Sequence, residues 1–478
     1  MQGTLRKLLA SGLLAGVFSL TMAVQAMTMN SLSPTQYNEI KQSALDKPQL
    51  VYDDIAPLLM QHQQNPLFRF TQLGQSALGT PIWQIDIGSG PVKILAWSQM
   101  HGNESTATAA LMDLLNFMAA ERQKSWRDNW LSKVSIRLIP MVNPDGAAAG
   151  SRFNSMGIDI NRDAKALQSP EGRLLMQAAK EFKPDFGLNL HDQNRFYAVG
   201  DTNKQATISL LAPAFNEAKD IDAARKKAMQ LIGDMRDLLE SELPGYLAKY
   251  NDTFSWRSFG DTFAGMGIST VLIESGGHPR DDNRQVARKL NAQLLVMSIE
   301  SIGSGAYQQQ PLSAYQAIPF NRDGGIKDVL INNLGISVNG NKAQVDLALE
   351  LDTIAGGQGR VRDIGDLSIY GAYQQFDASG LQYQAPKAYA LSQALTLDNA
   401  GYIALLRQGY SHFSGDAALL SNNSDFPVVI NPKGLATTTP QRHRLATFLL
   451  RNDKGVQLAL LNGQLLDLNN ATLLDLNK

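Results

Sequence analysis

Two side chains that can bind a metal ion lie three residues apart in the segment HGNE. His101 and Glu104 follow the apolar run VKILAWSQM, which is typical of a buried strand. If a helix begins after this strand, the i,i+3 spacing directs both side chains to one point. A capped helix with an incidental histidine has the same pattern, so the pair alone does not establish a metal site.

A third candidate ligand, His191, directly follows another apolar run, DFGLNL. A hydrolytic zinc site uses three protein ligands and keeps a fourth position open for water. The chain contains no cysteine and six histidines, so imidazoles and carboxylates would have to hold any metal. His191 taken alone is more typical of a structural core histidine. Together with His101 and Glu104, it predicts a site for one Zn²⁺ per chain.

Hydrolysis also needs a base that accepts a proton from the attacking water. Glu274 ends the very apolar segment TVLIE, where burial of a carboxylate is costly unless it has a partner or a function. Partial desolvation would raise the pKa of Glu274 toward the working pH of a general base. We therefore predict that Glu274 is the general base; the structural alternatives are a turn cap or an ion pair with Arg280.

The segment SRFNSMGIDINRDA supplies fixed positive charges. Arg152 and Arg162 could polarise a scissile carbonyl or form a bidentate contact with a substrate carboxylate. Asn161 can add amide donors to the same group, and Asp159 could orient a histidine ligand. Ordinary surface ion pairs are the alternative for both arginines.

Four apolar runs must position these side chains: VKILAWSQ, VSIRLIPMV, DFGLNL and STVLIES. They alternate with segments of helical periodicity, which predicts an α/β fold whose mostly parallel sheet is covered by helices. Each run ends in a polar cluster: HGNE, NPDG, NLHDQ and ESGG. Because functional groups gather at the carboxyl ends of strands in such sheets, the four clusters are expected at one edge.

The ordered set HGNE, NPDG, RFNSMGIDINR, NLH and ESGG resembles the zinc carboxypeptidases of peptidase family M14, over residues 50–300. The resemblance implies a mixed, mostly parallel sheet of about eight strands flanked by helices. It implies that His101, Glu104 and His191 hold zinc, with Glu274 as the general base. It also implies roles for three further residues: Arg152 as stabiliser of the carbonyl and oxyanion, and Asn161 with Arg162 as the binding site for the terminal carboxylate of the peptide.

The implied activity is that of a zinc-dependent metallopeptidase that hydrolyses the C-terminal peptide bond of peptides with a free terminal carboxylate. A cell-wall peptide amidase or an N-acyl amino acid deacylase on the same scaffold is an alternative. A catalytically silent binding protein is a third reading. The sequence contains no G-x-S-x-G elbow, Walker loop or dinucleotide fingerprint, so those enzyme classes are excluded.

Several positions depart from the family pattern or leave it open. Many relatives continue NRNF where this chain has NRDA, so Asp163 and Ala164 are expected to reshape the floor of the specificity pocket. The family uses a tyrosine from a mobile loop, and Tyr246 and Tyr250 are both candidates. Asp261 falls where relatives often place an acid that supports the pocket.

The N-terminal segment predicts export. Residues 1–26 have an early pair of cations, a short apolar stretch and a small-residue cleavage site after Ala26, as in a signal peptide. The mature protein is then expected to be periplasmic or secreted, without stable membrane insertion. Net charge is −1 and no stripe of Lys and Arg is present, so nucleic acid is excluded as a partner.

The C-terminal third has a different pattern. Residues 341–352 alternate apolar and polar side chains, and Asn339-Gly340 and Asn462-Gly463 predict tight hairpin turns. We predict three regions: a signal peptide (1–26), a zinc carboxypeptidase-like catalytic domain with short N-terminal helices (27–305), and a β-rich accessory domain (306–478).

Overall fold

The computed structural model describes residues 32–281, 283–352 and 358–474. The predicted signal peptide lies outside these ranges. None of the helices in the described ranges combines the length and the apolar character that a membrane span requires.

The region up to residue 304 contains nine α-helices and nine strands among the described residues. The helices are α1 (Pro34–Ile40), α2 (Tyr52–Gln63), α3 (Thr106–Ala119), α4 (Lys124–Trp130), α5 (Pro144–Ala148), α6 (Pro170–Phe182), α7 (Ala223–Glu242), α8 (Phe259–Gly265) and α9 (Gln285–Ser304). The strands are β1 (Phe68–Gln75), β2 (Pro81–Gly88), β3 (Val92–Ser98), β4 (Val134–Ile139), β5 (Phe186–Asp192), β6 (Ala198–Val199), β7 (Ile208–Leu211), β8 (Leu247–Lys249) and β9 (Ser269–Ser275).

Eight of these strands form one mixed sheet in the order β1-β2-β4-β3-β5-β9-β7-β8. The four apolar runs are the adjacent central strands β4, β3, β5 and β9, which are mutually parallel. β1 and β2 pair antiparallel at one edge. The predicted mixed, mostly parallel sheet of about eight strands with flanking helices is confirmed.

Alternate residues of the central strands are buried on opposite faces of the sheet. In β3, Ile94 and Ala96 contribute to the core under α3, α7 and α9, whereas Leu95 and Trp97 contribute to the core under α6 and α8. Such two-sided burial explains the unbroken apolar run in the sequence. It also explains why polar residues are concentrated where the strands end.

The remaining elements follow α9 and are mostly strands. They are α10 (Leu312–Gln316), β10 (Asn321–Arg322), β11 (Ile326–Val338), β12 (Asn341–Asp352), β13 (Gln358–Gly365), β14 (Gly371–Asp377), β15 (Gln382–Gln384), β16 (Ala388–Leu391), β17 (Leu395–Leu397), α11 (Asn399–Arg407), β18 (His412–Gly415), β19 (Leu420–Asn422), β20 (Phe448–Asn452), β21 (Gly455–Leu461), β22 (Gln464–Asp467) and β23 (Thr472–Leu473).

A second sheet, of nine strands, dominates this region, and both predicted hairpins are present in it. β11 pairs with β12 across the Asn339-Gly340 turn, and β21 pairs with β22 across Asn462-Gly463. The predicted β-rich character of the C-terminal region is confirmed. The domain boundary at residue 305 stays a prediction, although α9 ends there on Gly305 in the left-handed conformation.

The second sheet packs against segments that follow β5 and β9. The hydroxyl of Tyr373 donates to the carbonyl oxygen of Arg195 at 2.7 Å, and the Arg195 guanidinium pairs with the buried Asp328. A Cβ atom at Gly277 would lie 2.0 Å from the Tyr373 hydroxyl, so only glycine fits beneath this tyrosine. The loop after β9 is therefore covered by a residue of the second sheet.

A buried ion pair joins the helices behind the first sheet. Arg288 in α9 binds Asp113 in α3 with contacts of 2.7 and 2.8 Å, and both side chains are at most 1% exposed. Arg288 also reaches Asp46 at 2.9 Å. The pair thereby ties α3, α9 and the N-terminal segment together.

We expect the substitution Asp113→Ala to lower the free energy of unfolding by about 3 to 5 kcal/mol, because it leaves the Arg288 charge buried with one partner fewer. Urea unfolding followed by circular dichroism measures this change. The matched control is Asp128→Ala, which breaks the exposed pair with Lys124 and should change stability little. Equal effects of the two substitutions would contradict the prediction.

Candidate metal centre and active-site cavity

The carboxyl ends of β3, β5 and β9 open into a cavity of about 450 Å³. Every residue that the sequence proposed for metal or substrate binding or for catalysis lines it: His101, Glu104, Arg152, Asn161, Arg162, His191 and Glu274. Residues separated by more than 170 positions in the chain thus meet at one edge of the sheet, and they come from three of the four polar clusters; no residue of NPDG lines the cavity.

The three candidate metal ligands converge within the cavity. Their ligand atoms all lie within 4.8 Å of one another. His101 Nδ1 is 3.2 Å from His191 Nδ1, and the two oxygens of Glu104 lie 2.7 Å from His101 Nδ1 and 2.8 Å from His191 Nδ1. The two imidazoles are at most 3% exposed.

This arrangement fits a tetrahedral zinc ion. With Zn–N bonds of about 2.0 to 2.1 Å, two nitrogen ligands of one tetrahedral ion lie about 3.3 Å apart. The observed Nδ1–Nδ1 separation of 3.2 Å has this value. Two imidazoles and one carboxylate are also a donor set that catalytic zinc sites use, with a fourth position left for water. These three residues could therefore hold a metal ion.

Asp159 lies beside His101, as the sequence suggested. Its Oδ1 is 3.2 Å from His101 Nε2, which leaves Nδ1 facing the other ligands. Its Oδ2 accepts from Arg152 Nε at 3.0 Å. Burial would raise the pKa of Asp159, but the hydrogen bond and charge of His101, together with Arg152, lower this pKa to about 2. Asp159 is therefore an anion that fixes both neighbours.

The two other ligands differ in charge. Burial would raise the pKa of Glu104, but the nearby His101 and His191 outweigh burial and lower it, so Glu104 is ionised. Burial lowers the pKa of His191, although Glu104 opposes this effect. An ionised carboxylate and a neutral imidazole are the protonation states that bind a metal.

Glu274 lies next to His191, because β5 and β9 pair in parallel with these two residues in register. Its side chain is 7% exposed. Burial raises the pKa of Glu274 well above its usual value, and the negative charges of Glu104 and Asp192 add to this rise. Within the described ranges no ion pair connects Glu274 with Arg280, which is exposed. The structural alternative of that ion pair is therefore not supported.

The cations and the amide come from the loop before α6. Arg152 places Nη1 3.2 Å from His101 Nδ1 and 3.6 Å from Glu104 Oε1, so its guanidinium borders the candidate metal site. Asn161 and Arg162 belong to the short 3₁₀ turn Ile160–Arg162. Asn161 Oδ1 accepts from the N–H of Phe259 at 3.0 Å, which fixes the turn against the start of α8.

Of the two candidate tyrosines, Tyr250 lines the cavity. Burial raises the pKa of Tyr250 and the charge of Glu274 raises it further, so its hydroxyl remains a protonated donor. Tyr246 instead packs against His278 with ring centroids 4.7 Å apart. The structure therefore separates two tyrosines that the sequence left equivalent.

The expectation for Asp163 and Ala164 is wrong. Neither residue lines the cavity. Asp163 is 2% exposed and accepts from the N–H and the hydroxyl of Ser169, both at 2.7 Å, so it fixes the loop that leads into α6. Asp261 does line the cavity, where it accepts from the N–H of Ser255 at 2.9 Å and from the hydroxyl of Ser258.

The cavity contains residues that the sequence did not single out. Arg284, in a left-handed conformation before α9, has Nη1 3.8 Å from Asp192 Oδ2. Asn189 lies two residues before His191 on the same face of β5. Tyr197 lies beside Tyr250, with ring centroids 6.0 Å apart. The polar segment NLHDQ was the only available signal for Asn189 and Asp192.

The fold and the site combine a helix-flanked mixed sheet with two imidazoles and one carboxylate that could hold a metal ion, and with a buried glutamate at the carboxyl edge of the sheet. Residues 59–222 match the family model described as zinc carboxypeptidase. The resemblance in the motifs is thereby confirmed over this part of the chain.

Individual relatives match over short segments. Carboxypeptidase 2 of Trichophyton tonsurans is 28% identical over 132 residues, which cover 27% of this chain and 24% of that protein. Gamma-D-glutamyl-L-diamino acid endopeptidase 1 of Lysinibacillus sphaericus is 34% identical over 87 residues, 17% of this chain and 22% of that protein. The chain thus spans about a quarter of the length of these curated relatives.

One similar solved structure is a metallo-carboxypeptidase from Burkholderia cenocepacia. It is 16% identical, has a TM-score of 0.44 and aligns with 54% of this chain and 70% of that one.

Proposed function

We propose that this protein is a zinc-dependent carboxypeptidase that removes the C-terminal residue from peptides with a free terminal carboxylate. The observation that carries the proposal is the placement of three candidate metal ligands, a desolvated glutamate and an Asn-Arg pair in one cavity. The match of residues 59–222 to the zinc carboxypeptidase family supports it.

His101, Glu104 and His191 are the proposed zinc ligands, one ion per chain. Zn²⁺ held by them would supply Lewis acidity toward the attacking water and the scissile carbonyl. Asp159 orients His101 through its Nε2 atom. In this role Asp159 sets the direction of a ligand without binding the ion itself.

Glu274 is the proposed general base. It accepts a proton from the attacking water and later donates it to the nitrogen of the leaving amine. Arg152 borders the same space and faces the oxygen on which negative charge develops. A preorganised donor at such a position contributes about 3 to 4 kcal/mol to transition-state stabilisation.

Asn161 and Arg162 are proposed to bind the terminal carboxylate of the peptide. A guanidinium forms a bidentate contact with a carboxylate, and an amide can add a further hydrogen bond. These residues do not touch the reacting atoms, but they place the last peptide bond at the candidate metal site. Tyr250 is proposed to donate a hydrogen bond to the bound peptide from the same cavity.

The substitution Arg162→Met is expected to lower kcat/KM for a peptide with a free C-terminal carboxylate by about 100-fold, because the peptide loses its positioning contact. Zinc content should stay unchanged. Arg236→Met, on α7 and away from the cavity, is the matched control. If free and C-terminally amidated peptides were cleaved equally well by the unmodified protein, the proposed role of Arg162 would be wrong.

The raised pKa of Glu274 predicts the acid side of the pH profile. The base works only when deprotonated, so kcat/KM should fall as pH decreases through this pKa, at a pH well above the usual range of a glutamate. Bound zinc would offset the charge of Glu104, but the burial of Glu274, the largest cause of the shift, remains. Rates between about pH 4 and pH 9 test this. An acid limb at the ordinary glutamate value would contradict it.

A second candidate substrate follows from one relative. Because a similar protein is named a gamma-D-glutamyl-L-diamino acid endopeptidase, we propose peptides with that linkage as the alternative, which agrees with the cell-wall amidase reading. The predicted export would expose the protein to such peptides. Three substrates assayed together separate the candidates: a free-carboxylate peptide, a muropeptide and an N-acyl amino acid. Stoichiometric zinc without cleavage of any of them would favour a silent binding protein.

A further inference from the structure

The wall of the cavity contains a buried asparagine whose side-chain oxygen accepts no hydrogen bond from the described residues. Asn189 is 2% exposed and lines the cavity. Among the described residues, no donor reaches its Oδ1 atom. A buried amide that lacks a partner is costly to maintain, unless a bound molecule supplies the partner.

Asn189 lies between the candidate metal ligands and the proposed carboxylate site. On β5 it shares a face with His191, and across the sheet it is in register with Leu272, two residues before Glu274. Its Nδ2 faces Gly260. Gly260 follows Phe259, whose N–H is bound by Asn161. A residue held by Asn161 and Arg162 would therefore direct its side chain toward Asn189.

Gly260 lies against the amide of Asn189. A Cβ atom at this position would lie 3.3 Å from Asn189 Nδ2 and 3.5 Å from Pro213 Cγ, so any larger side chain would cover the amide. The neighbouring walls are apolar, formed by Leu211, Pro213 and Leu272. Asn189 is thus a neutral polar group next to these apolar residues.

The charges of the groups around Asn189 determine which polar substrate side chains could bind there. Asp261, the carboxylate on this side of the cavity, already accepts from the N–H of Ser255 and the hydroxyl of Ser258. A charged substrate side chain would have to give up its hydration to contact a neutral amide, which is costly. A carboxamide can instead donate to Oδ1 and accept from Nδ2 at once.

We propose that Asn189 binds the side chain of the C-terminal residue of the substrate, and that the pocket selects uncharged hydrogen-bonding side chains, above all glutamine and asparagine. This inference rests on the proposed carboxypeptidase function. It adds a specificity-determining residue that does not touch the reacting atoms.

Peptides that differ only in their last residue test the inference. Glutamine and methionine have similar length, so we expect kcat/KM for the glutamine peptide to exceed that for the methionine peptide by about 10- to 100-fold. The substitution Asn189→Leu should remove this preference or reverse it, with unchanged zinc content. Asn129→Leu, an exposed asparagine of α4, is the matched control.

A second variant and a binding measurement keep the test decisive if Asn189→Leu does not fold. Gly260→Ala should lower the glutamine preference, because the added methyl group partly covers the amide. Calorimetry with free glutamine and free methionine should show the same order of affinity without any turnover. A methionine preference in the unmodified protein, or an unchanged preference in both variants, overturns the inference alone. Absence of C-terminal cleavage overturns the proposed function as well.

Discussion

Replacement of Glu274 by glutamine is expected to lower kcat by about a hundredfold to ten-thousandfold while zinc content stays the same. The amide keeps the shape of the side chain but cannot accept the proton of the attacking water, and general-base catalysis contributes an effect of this size. Because Glu274 carries an unfavourably buried carboxyl group, the substitution should not destabilise the fold. Single-turnover rates together with metal analysis measure the result.

The matched control for Glu274→Gln is Glu217→Gln, which changes an exposed glutamate outside the cavity. If the Glu274→Gln protein retained most of its activity, another group would have to be the general base. Asp192 would be the next candidate, since it lines the cavity and burial raises its pKa.

The substitution His191→Asn is expected to abolish both zinc binding and activity. It removes one of the three ligand atoms that lie within 4.8 Å of one another, and the remaining two cannot complete a site for zinc with an open fourth position. Asp159→Asn should weaken zinc affinity by a smaller factor, about 10- to 100-fold, because it only loosens the orientation of His101. Zinc per chain after dialysis, with circular dichroism as a check on folding, gives the ranking.

His443→Asn is the control for the histidine substitution, because His443 is exposed and has a positive φ that asparagine tolerates. Full zinc content in the His191→Asn protein would show that the ion is held elsewhere, and the proposed mechanism would be wrong. Loss of zinc in the His443→Asn protein would contradict the assignment in the same way.

The central strands and the residues at their ends could be predicted from the sequence. The apolar runs of β3, β4, β5 and β9 are buried on both faces, so their periodicity is strong and each stops where polar side chains begin. His191 and Glu274 lie near the ends of β5 and β9, and His101 and Glu104 lie in the short connection between β3 and α3; all four line the cavity, as predicted.

The rest of the site depends on tertiary contacts that leave no local pattern. Tyr246 and Tyr250 lie on either side of β8, and their ring contacts separate them, since Tyr246 packs against His278 whereas Tyr250 lies beside Tyr197. The role of Asp163 was predicted wrongly because the groups that donate hydrogen bonds to its carboxylate, the N–H and hydroxyl of Ser169, lie six residues further along the chain. Arg284 lines the cavity and has a left-handed backbone conformation, which the sequence does not predict.

The tyrosine that covers Gly277 ties segments next to the cavity to the second sheet. β5 and β9 carry His191 and Glu274, and the segments that follow these two strands contact Tyr373 and Asp328 of the second sheet. We therefore expect displacement of the second sheet to loosen these segments without contact with any proposed catalytic side chain.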